Sequence, residues 1–345
     1  MKIGNIIRMG IGAAGCALFG RKKPLNVMLS LTDRCLSRCS YCNIPERAQP
    51  ELTTEQVFGL IDQIRLAGCQ RLGLWGGEPL IRDDIGQIVE YAARKGLFVT
   101  MDSNGYLIPE KIDALRYLGH LVLALDGPES EHDLNREPGS FKKVMAAVKA
   151  VSGRIPLWTI TVLTKHNLDS IDFILDTAKK YGFLATFQVL HHNEILGRDR
   201  EALAPPDEDY REAVRKLIEK KKKGAPIASS LAYLNHILKW PDYGQSTLSY
   251  EFGGLKCLAG RLYCNVDTDG SVYACSLLVG KRKASNFLEA GFVKAFEDID
   301  AAGCKACLAS CFTEYNYIYG LHIPVCFSWL SSMLKTKGVL CRKRP

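Results

Sequence analysis

The stretch Leu25–Glu46, LNVMLSLTDRCLSRCSYCNIPE, runs an apolar strand straight into a loop with three thiols. The cysteines are Cys35, Cys39 and Cys42, and Tyr41 sits just before the third. Three thiols in so short a loop cannot all pair with one another. They hold a metal, serve redox chemistry or are incidental. Which of these applies depends on where in the fold the loop lies, and the pattern of the chain beyond it settles that.

Strand and helix patterns alternate from Leu25 to about Leu190. Helical spacing of Val57, Leu60, Ile61 and Ile64 comes after Thr53–Thr54, a capping position. RLGLWG (71–76) is a strand, and DDIGQIVEYAARKG (83–96) a helix stopped by glycine. LFVTMDSNG, HLVLALDG, PLWTITVLT and FLATFQVL supply four more strands, with helices between them, one of them over IPEKIDALRYLG. Six strands with five intervening helices imply a parallel sheet covered by helices. Six units suit an incomplete barrel. The expected fold class is therefore α/β: a partial (β/α)6 TIM-like barrel with a small Cys-rich C-terminal α+β domain. The expected divisions are an apolar and basic N-terminal segment (1–24), the barrel (25–200), a helical linker (201–250) and the Cys-rich domain with a basic tail (251–345).

Composition bounds the function. With 47% apolar and 24% charged residues, the chain of 345 is globular rather than disordered. The net charge of +8 comes without a stripe of interleaved Arg and aromatics, so nucleic acid is not an expected partner. Thirteen cysteines are many for a chain this long, and they cluster. One group is Cys35, Cys39 and Cys42; another runs through Cys257, Cys264, Cys275, Cys304, Cys307, Cys311 and Cys326. Clustering in a chain with an ample core favours metal or iron–sulfur ligation over a disulfide scaffold. The run Met9–Phe19 is too short to cross a bilayer and reads better as a surface-lying amphipathic segment than as a signal peptide.

Thiolates are soft ligands that select zinc, copper(I) or iron–sulfur clusters. A structural zinc site takes a fourth protein ligand, and no His or Cys stands nearby to supply one. The loop stands at the C-terminal end of the first strand, the active-site rim of such barrels. Three thiols there, without a fourth, suggest a cluster with one iron left open.

Cys35-x3-Cys39-x2-Cys42 with Tyr41 resembles the signature of radical S-adenosylmethionine (radical SAM) enzymes. GGEP (Gly76, Gly77, Glu78, Pro79) after the second strand, DSNG with Ser103 and Asn104 after the third, LDG with Asp126 after the fourth, and HDLNREPGSF with Arg136 strengthen the resemblance. It covers roughly Pro24 to Leu190. The resemblance implies that Cys35, Cys39 and Cys42 ligate a 4Fe-4S cluster whose open iron chelates S-adenosylmethionine. It implies that Gly76, Gly77, Glu78 and Pro79 hold the methionine end, that Tyr41 helps wall the adenine, and that Ser103, Asn104, Asp126 and Arg136 lie at the cofactor. Reductive cleavage then releases a 5′-deoxyadenosyl radical that takes hydrogen from a substrate. Asn167, Gln188, His191 and His192 end the fifth and sixth strands on the same rim.

The C-terminal cysteines resemble the auxiliary-cluster extensions called SPASM and twitch domains. The resemblance assigns Cys257, Cys275, Cys304 and Cys307 to a second, auxiliary 4Fe-4S cluster, with Cys264, Cys311 and Cys326 unassigned. Asp267 and Asp269 are expected as turn formers in DTDG. Expected partners are S-adenosylmethionine, an electron donor such as flavodoxin or ferredoxin, and a peptide, lipid or small-metabolite substrate. Both termini are apolar and basic, which suits an anionic membrane surface. The expected location is the cytoplasm, with peripheral contact at the inner face of the membrane. The alternative function is a zinc- or cluster-stabilised binding protein on the same scaffold.

Overall fold

A computed structural model describes residues 3–191, 193, 195–197, 200–301 and 303–342; the side chains of Arg200 and of 334–342 are excluded. Eleven strands occur among these residues: β1 (Asn26–Ser30), β2 (Arg71–Trp75), β3 (Phe98–Ser103), β4 (His120–Ala124), β5 (Leu157–Leu163), β6 (Leu184–Val189), β7 (Thr247–Leu248), β8 (Tyr263–Val266), β9 (Ser271–Tyr273), β10 (Ser285–Asn286) and β11 (Ala306–Cys307). Strands β1 to β6 pair in sequence order and in parallel, as the alternating pattern requires. The sheet continues on the other side of β1. Strand β8 pairs parallel to it, Val27 facing Cys264, and β9 and β10 add on antiparallel. The C-terminal hairpin thus extends the barrel sheet.

Strand β5 shows how the two sides of the sheet differ. Leu157, Thr159, Thr161 and Leu163 are buried under the outer helices, while Trp158, Ile160 and Val162 are only half-buried toward the lumen. Side chains alternate across a strand. A partial barrel leaves the inner set around a space that an eight-stranded barrel would fill with side chains.

The outer helices bury one stripe each. Helix Thr54–Leu66 starts with a complete capping box between Thr53 and Gln56, and Val57, Leu60, Ile61 and Ile64 are fully buried. Burial of each such side chain contributes about 1.5–3 kcal/mol. The helix expected over IPEKIDALRYLG is shorter than its pattern: Ile108–Lys111 is α-helical, and Ile112–Leu115 tightens to a 3-10 turn where Ala114 packs on Gly86. Residues 207–222 and 231–238, expected as a linker, form two helices packed into the main core. Tyr210, Val214 and Leu217 recur at helical spacing and are fully buried, as are Tyr233 and Trp240, while the lysine run ends the first helix outward.

Helix Ile3–Phe19 crosses the base of the barrel. Its Asn5 side chain donates to the carbonyls of Gln70 and Gly96, just before β2 and β3. Helix Ser310–Tyr319 links the two sides of the sheet. The backbone N–H and hydroxyl of Ser310 donate to Gln188 on β6, and Tyr315 accepts from Arg71 on β2. The cysteine loop leaves β1 at the opposite end from the first helix.

Candidate active site

Within the first loop Cys39 sits close enough to Cys35 and Cys42 to raise the pKa of both, and none of the three forms a disulfide. Donors converge on the sulfurs. The Ser37 N–H (3.4 Å) and the Asn104 amide (3.6 Å) reach Cys35 Sγ. The Arg136 guanidinium reaches Cys39 Sγ at 3.1 Å, and the Ser37 hydroxyl lies 3.2 Å from it. Burial pushes the Cys35 thiol up to about 11 and Cys42 up to about 12. Bare, Cys35 and Cys42 therefore stay protonated at neutral pH, and a bound iron would supply the positive charge that ionises them. Thiols ringed by hydrogen-bond donors fit an iron–sulfur cluster, whose sulfurs accept such bonds.

Gly76 and Gly77 pack against the backbone of the cysteine loop. The Gly77 N–H donates to Thr32 O (2.7 Å) and the Glu78 N–H to Arg34 O (2.8 Å). A Cβ on Gly76 would lie 2.4 Å from Thr32 O, and one on Gly77 2.3 Å from Arg34 O. Gly76 also has φ +133°, which L side chains rarely adopt. The glycines let GGEP lie flat against the backbone of the cysteine loop.

Glu78 is fully buried, with its carboxylate within electrostatic reach of Cys35. Its carboxylate accepts from Ser103 Oγ (2.8 Å) and from the N–H groups of Asn104 (2.8 Å) and Leu80 (3.1 Å). Burial raises its pKa to about 7 against those bonds. It thereby fixes the DSNG loop to GGEP. Pro79, also buried, starts the short 3-10 turn after it.

Asp126 and Arg136 form a buried ion pair, Oδ2 to Nε 2.8 Å, with side chains 0% and 6% exposed. Asp126 also accepts from Tyr41 OH (3.1 Å) and the Val162 N–H (3.0 Å). Arg136 donates again to Tyr41 OH (2.6 Å) and lies over the Tyr41 ring. Tyr41, Asp126, Arg136 and Cys39 are one network, and its Arg end points at a thiol.

Among the C-terminal cysteines, Cys257, Cys275, Cys304 and Cys307 line one small cavity with Tyr263, Ala274 and Phe312. Strand β11, held by β7, presents Cys307, and the β8–β9 turn leads to Cys275. The other cysteines lie elsewhere. Cys264 is buried in β8 near Cys69. Cys311 and Cys326 line the barrel lumen. Among the described residues no group of three or more His, Cys, Asp or Glu is drawn in tightly enough for a single metal ion.

Other expected rim residues are structural. Asn167 donates to the carbonyls of Asp126 and Val162. Gln188 accepts from Ser310. His191 is half-buried, and His192 lies outside the described residues. Asp269 closes the hairpin on Ser271. Asp267 does more than form a turn: it is buried and pairs at 2.6 Å with Arg47, which also reaches Asp33 at 3.5 Å. Arg47 so ties the cysteine loop to the C-terminal hairpin.

The lumen below the site holds Arg71 and Glu314, which no motif flagged, and Asp102, the first residue of DSNG. Arg71 donates to Tyr315 OH and Asn26 Oδ1, both at 2.7 Å. Asp102 faces the space, its pKa raised to about 6 by burial against the pull of Arg71. Glu314 accepts from the Ser230 N–H (2.6 Å), and burial raises its pKa to about 7. A carboxyl whose folded pKa exceeds its unfolded value favours folding below the unfolded pKa and loses that contribution as pH rises through the folded one. Glu314→Gln keeps the acceptor and removes the charge. It should raise thermal stability at pH 8, by about 1–3 kcal/mol, and change little at pH 5; equal melting temperatures of the two proteins at pH 8 would refute this.

Residues 29–178 match the radical SAM superfamily. The chain is 28% identical over 292 residues to the AdoMet-dependent heme synthase of Methanosarcina barkeri, spanning 80% of this chain and 83% of that one. It is 29% identical to the PqqA peptide cyclase of Ruegeria pomeroyi over 73% and 67% of the two chains. It is 27% identical to a mycofactocin maturase of Mycolicibacterium smegmatis over 84% and 76%. In fold it is similar to Streptococcus suis SuiB bound to S-adenosylmethionine (TM-score 0.65, 15% identity, 83% of this chain and 68% of that one). It is likewise similar to anSMEcpe with bound AdoMet (TM-score 0.63, 16% identity, 88% and 99%).

Proposed function

We infer that this chain, a radical SAM enzyme, binds its catalytic 4Fe-4S cluster through Cys35, Cys39 and Cys42 and works on a substrate held in the barrel lumen, with an auxiliary 4Fe-4S cluster on Cys257, Cys275, Cys304 and Cys307. When bound, the catalytic cluster supplies the electron that cleaves S-adenosylmethionine to a 5′-deoxyadenosyl radical. The chain's own residues do the positioning. Arg136 and Ser37 hold Cys39, and Asn104 holds Cys35. Glu78 locks the DSNG loop against GGEP, so the loops after β1, β2 and β3 move as one.

The observation that carries this reading is the division of the thiols. Three stand at the rim with donors around them and no fourth, while four others share one closed cavity. Three ligands leave one iron open, and four saturate a cluster. Relatives named for peptide cyclisation and heme synthesis show that this scaffold serves more than one substrate class.

The test of the auxiliary site is stoichiometry after anaerobic reconstitution. The intact chain should hold about eight irons with matching sulfide, and Cys275→Ala about four. The variant should still cleave S-adenosylmethionine to 5′-deoxyadenosine under dithionite. An intact chain holding about four irons would remove the auxiliary cluster; zinc in place of iron, without 5′-deoxyadenosine, would favour the non-catalytic binding protein.

A further inference from the structure

The charge of the chain is placed at its two ends. No Asp or Glu occurs in residues 1–32 or after Glu314. The first segment carries Lys2, Arg8, Arg21, Lys22 and Lys23; the second carries Lys335, Lys337, Arg342, Lys343 and Arg344. These ten exceed the net charge of +8, so the chain between them is slightly acidic. Lys343 and Arg344 lie outside the described residues, and the side chains of Lys335, Lys337 and Arg342 are excluded.

The fold brings the two ends together at the base of the barrel. Ile6, Met9 and Gly10 of the first helix and Val325, Trp329 and Met333 of the last helix, Ile323–Arg342, line one cavity of about 300 Å³. The first helix is apolar on both faces. Met9, Ala13 and Cys16 pack inward, while Ile3, Ile7, Ile11 and Leu18 point outward and are each more than half exposed. Beside them Phe19, Ile323 and Phe327 are equally exposed. No helix among the described residues is long and apolar enough to cross a membrane. Exposed apolar side chains on the first and last helices, with exposed Arg8, Arg21 and Lys22 in the first segment, fit the surface of an anionic bilayer. A neighbouring groove of about 1080 Å³ reaches the same helices through Ala13, Cys16 and Ile323; Lys239, Lys256 and Arg261 line it with no acidic residue, as anionic headgroups require.

The cavity between the helices is apolar at its mouth and polar within. Arg71, Asp102 and Glu314 line its inner part. Polar groups that lose water without a replacement partner are costly. A hydrocarbon guest displaces that water and replaces nothing, and a fully polar guest wastes the apolar mouth. An amphiphile with an apolar chain and hydrogen-bonding groups satisfies both. The inner end is Asp102, one residue before Ser103 and two before Asn104, which donates to Cys35.

We propose that the two terminal helices seat the protein on an anionic bilayer and that the cavity between them receives a lipid from it as the substrate of the radical reaction. This rests on the radical SAM function proposed for the chain. The docking step has its own readout, independent of cofactor cleavage.

The experiment is sedimentation of reconstituted enzyme with vesicles of phosphatidylcholine containing about 30% phosphatidylglycerol. Most of the protein should bind at about 0.1 M salt, and at least about tenfold less at about 0.5 M. Vesicles of phosphatidylcholine alone should bind little. Ile7→Glu with Ile11→Glu puts two charges on the outward face and should weaken binding at least about tenfold, its iron content showing that it has folded. Gly10→Trp blocks the mouth, where an added Cβ meets nothing within 4 Å. It should still bind vesicles, yet carry several-fold less lipid phosphorus through gel filtration. Absent binding, or equal binding to neutral vesicles, overturns the docking. A stable dimer in light scattering without vesicle binding does the same and assigns the face to a second copy. Equal lipid carried by Gly10→Trp overturns the lipid cavity. Failure of 5′-deoxyadenosine formation, measured without vesicles, strikes the radical reading alone.

Discussion

Cys39→Ala should leave no detectable 5′-deoxyadenosine after incubation with S-adenosylmethionine and dithionite. Cys39 has the shortest polar contacts of the three thiols, with the Arg136 guanidinium at 3.1 Å and the Ser37 hydroxyl at 3.2 Å. Its loss removes one of three ligands and leaves the buried Arg136 facing a methyl group. A cluster on two thiols is not retained, so iron should fall from about eight to about four per chain. The remaining iron reports the C-terminal site, whose four cysteines line a separate cavity. The same result is expected for Cys35→Ala and Cys42→Ala. Product formation by any of the three at a rate comparable to the parent would mean that the loop does not hold the catalytic cluster.

Asp126→Ala should be the most destabilising single change at the rim. The carboxylate is 0% exposed and pairs with Arg136, Tyr41 and the Val162 N–H. Removing it leaves a buried guanidinium without its counter-charge. Breaking a buried pair from one side costs about 3–5 kcal/mol. At roughly 2–4 °C per kcal/mol for a large domain, the melting temperature should drop by about 6–20 °C. Asp126→Asn keeps the acceptor oxygens in part and should lose less. A second substitution, Arg136→Met, should restore part of the loss in Asp126→Ala by removing the stranded charge. A melting temperature within about 1 °C of the parent would show that solvent reaches the pair and that burial is not what makes it matter.

Much of the barrel was legible because its strands are short apolar runs separated by amphipathic helices with clear stops. Val57, Leu60, Ile61 and Ile64 fall at helical spacing and are all fully buried. The helix pattern over Ile108–Leu115 read as longer than it is, because periodicity records which face is apolar and not how tightly the turn is wound. Residues 207–238 read as a linker because their charge density is high. Their apolar stripe, Tyr210, Val214 and Leu217, is the part that packs.

The candidate site was legible as motifs but not as contacts. GGEP was visible; that its glycines meet the cysteine loop at Thr32 and Arg34 depends on two segments about forty residues apart in the chain. Asp267 looked like one of two turn aspartates, and only its neighbour Arg47, over two hundred residues away in sequence, shows that it braces the loop. Arg71, His120 and Trp158 carried no motif. Their signal is a single polar or bulky residue on the inward side of an otherwise apolar strand.

By itself the sequence determined the parallel alternation of strands and helices and the three-thiol loop after the first strand. It also determined the match to the radical SAM superfamily. These are local properties, set by side-chain period, by turn residues and by spacing within a few turns of chain. The resemblance had grouped Cys257, Cys275, Cys304 and Cys307, which share one cavity, but tertiary structure alone decided that Cys311 and Cys326 face the lumen. It decided too that the first and last helices meet at the base and leave an apolar face outward. Those facts depend on closing long loops in one register, and no local pattern encodes which distant surfaces the closure brings together.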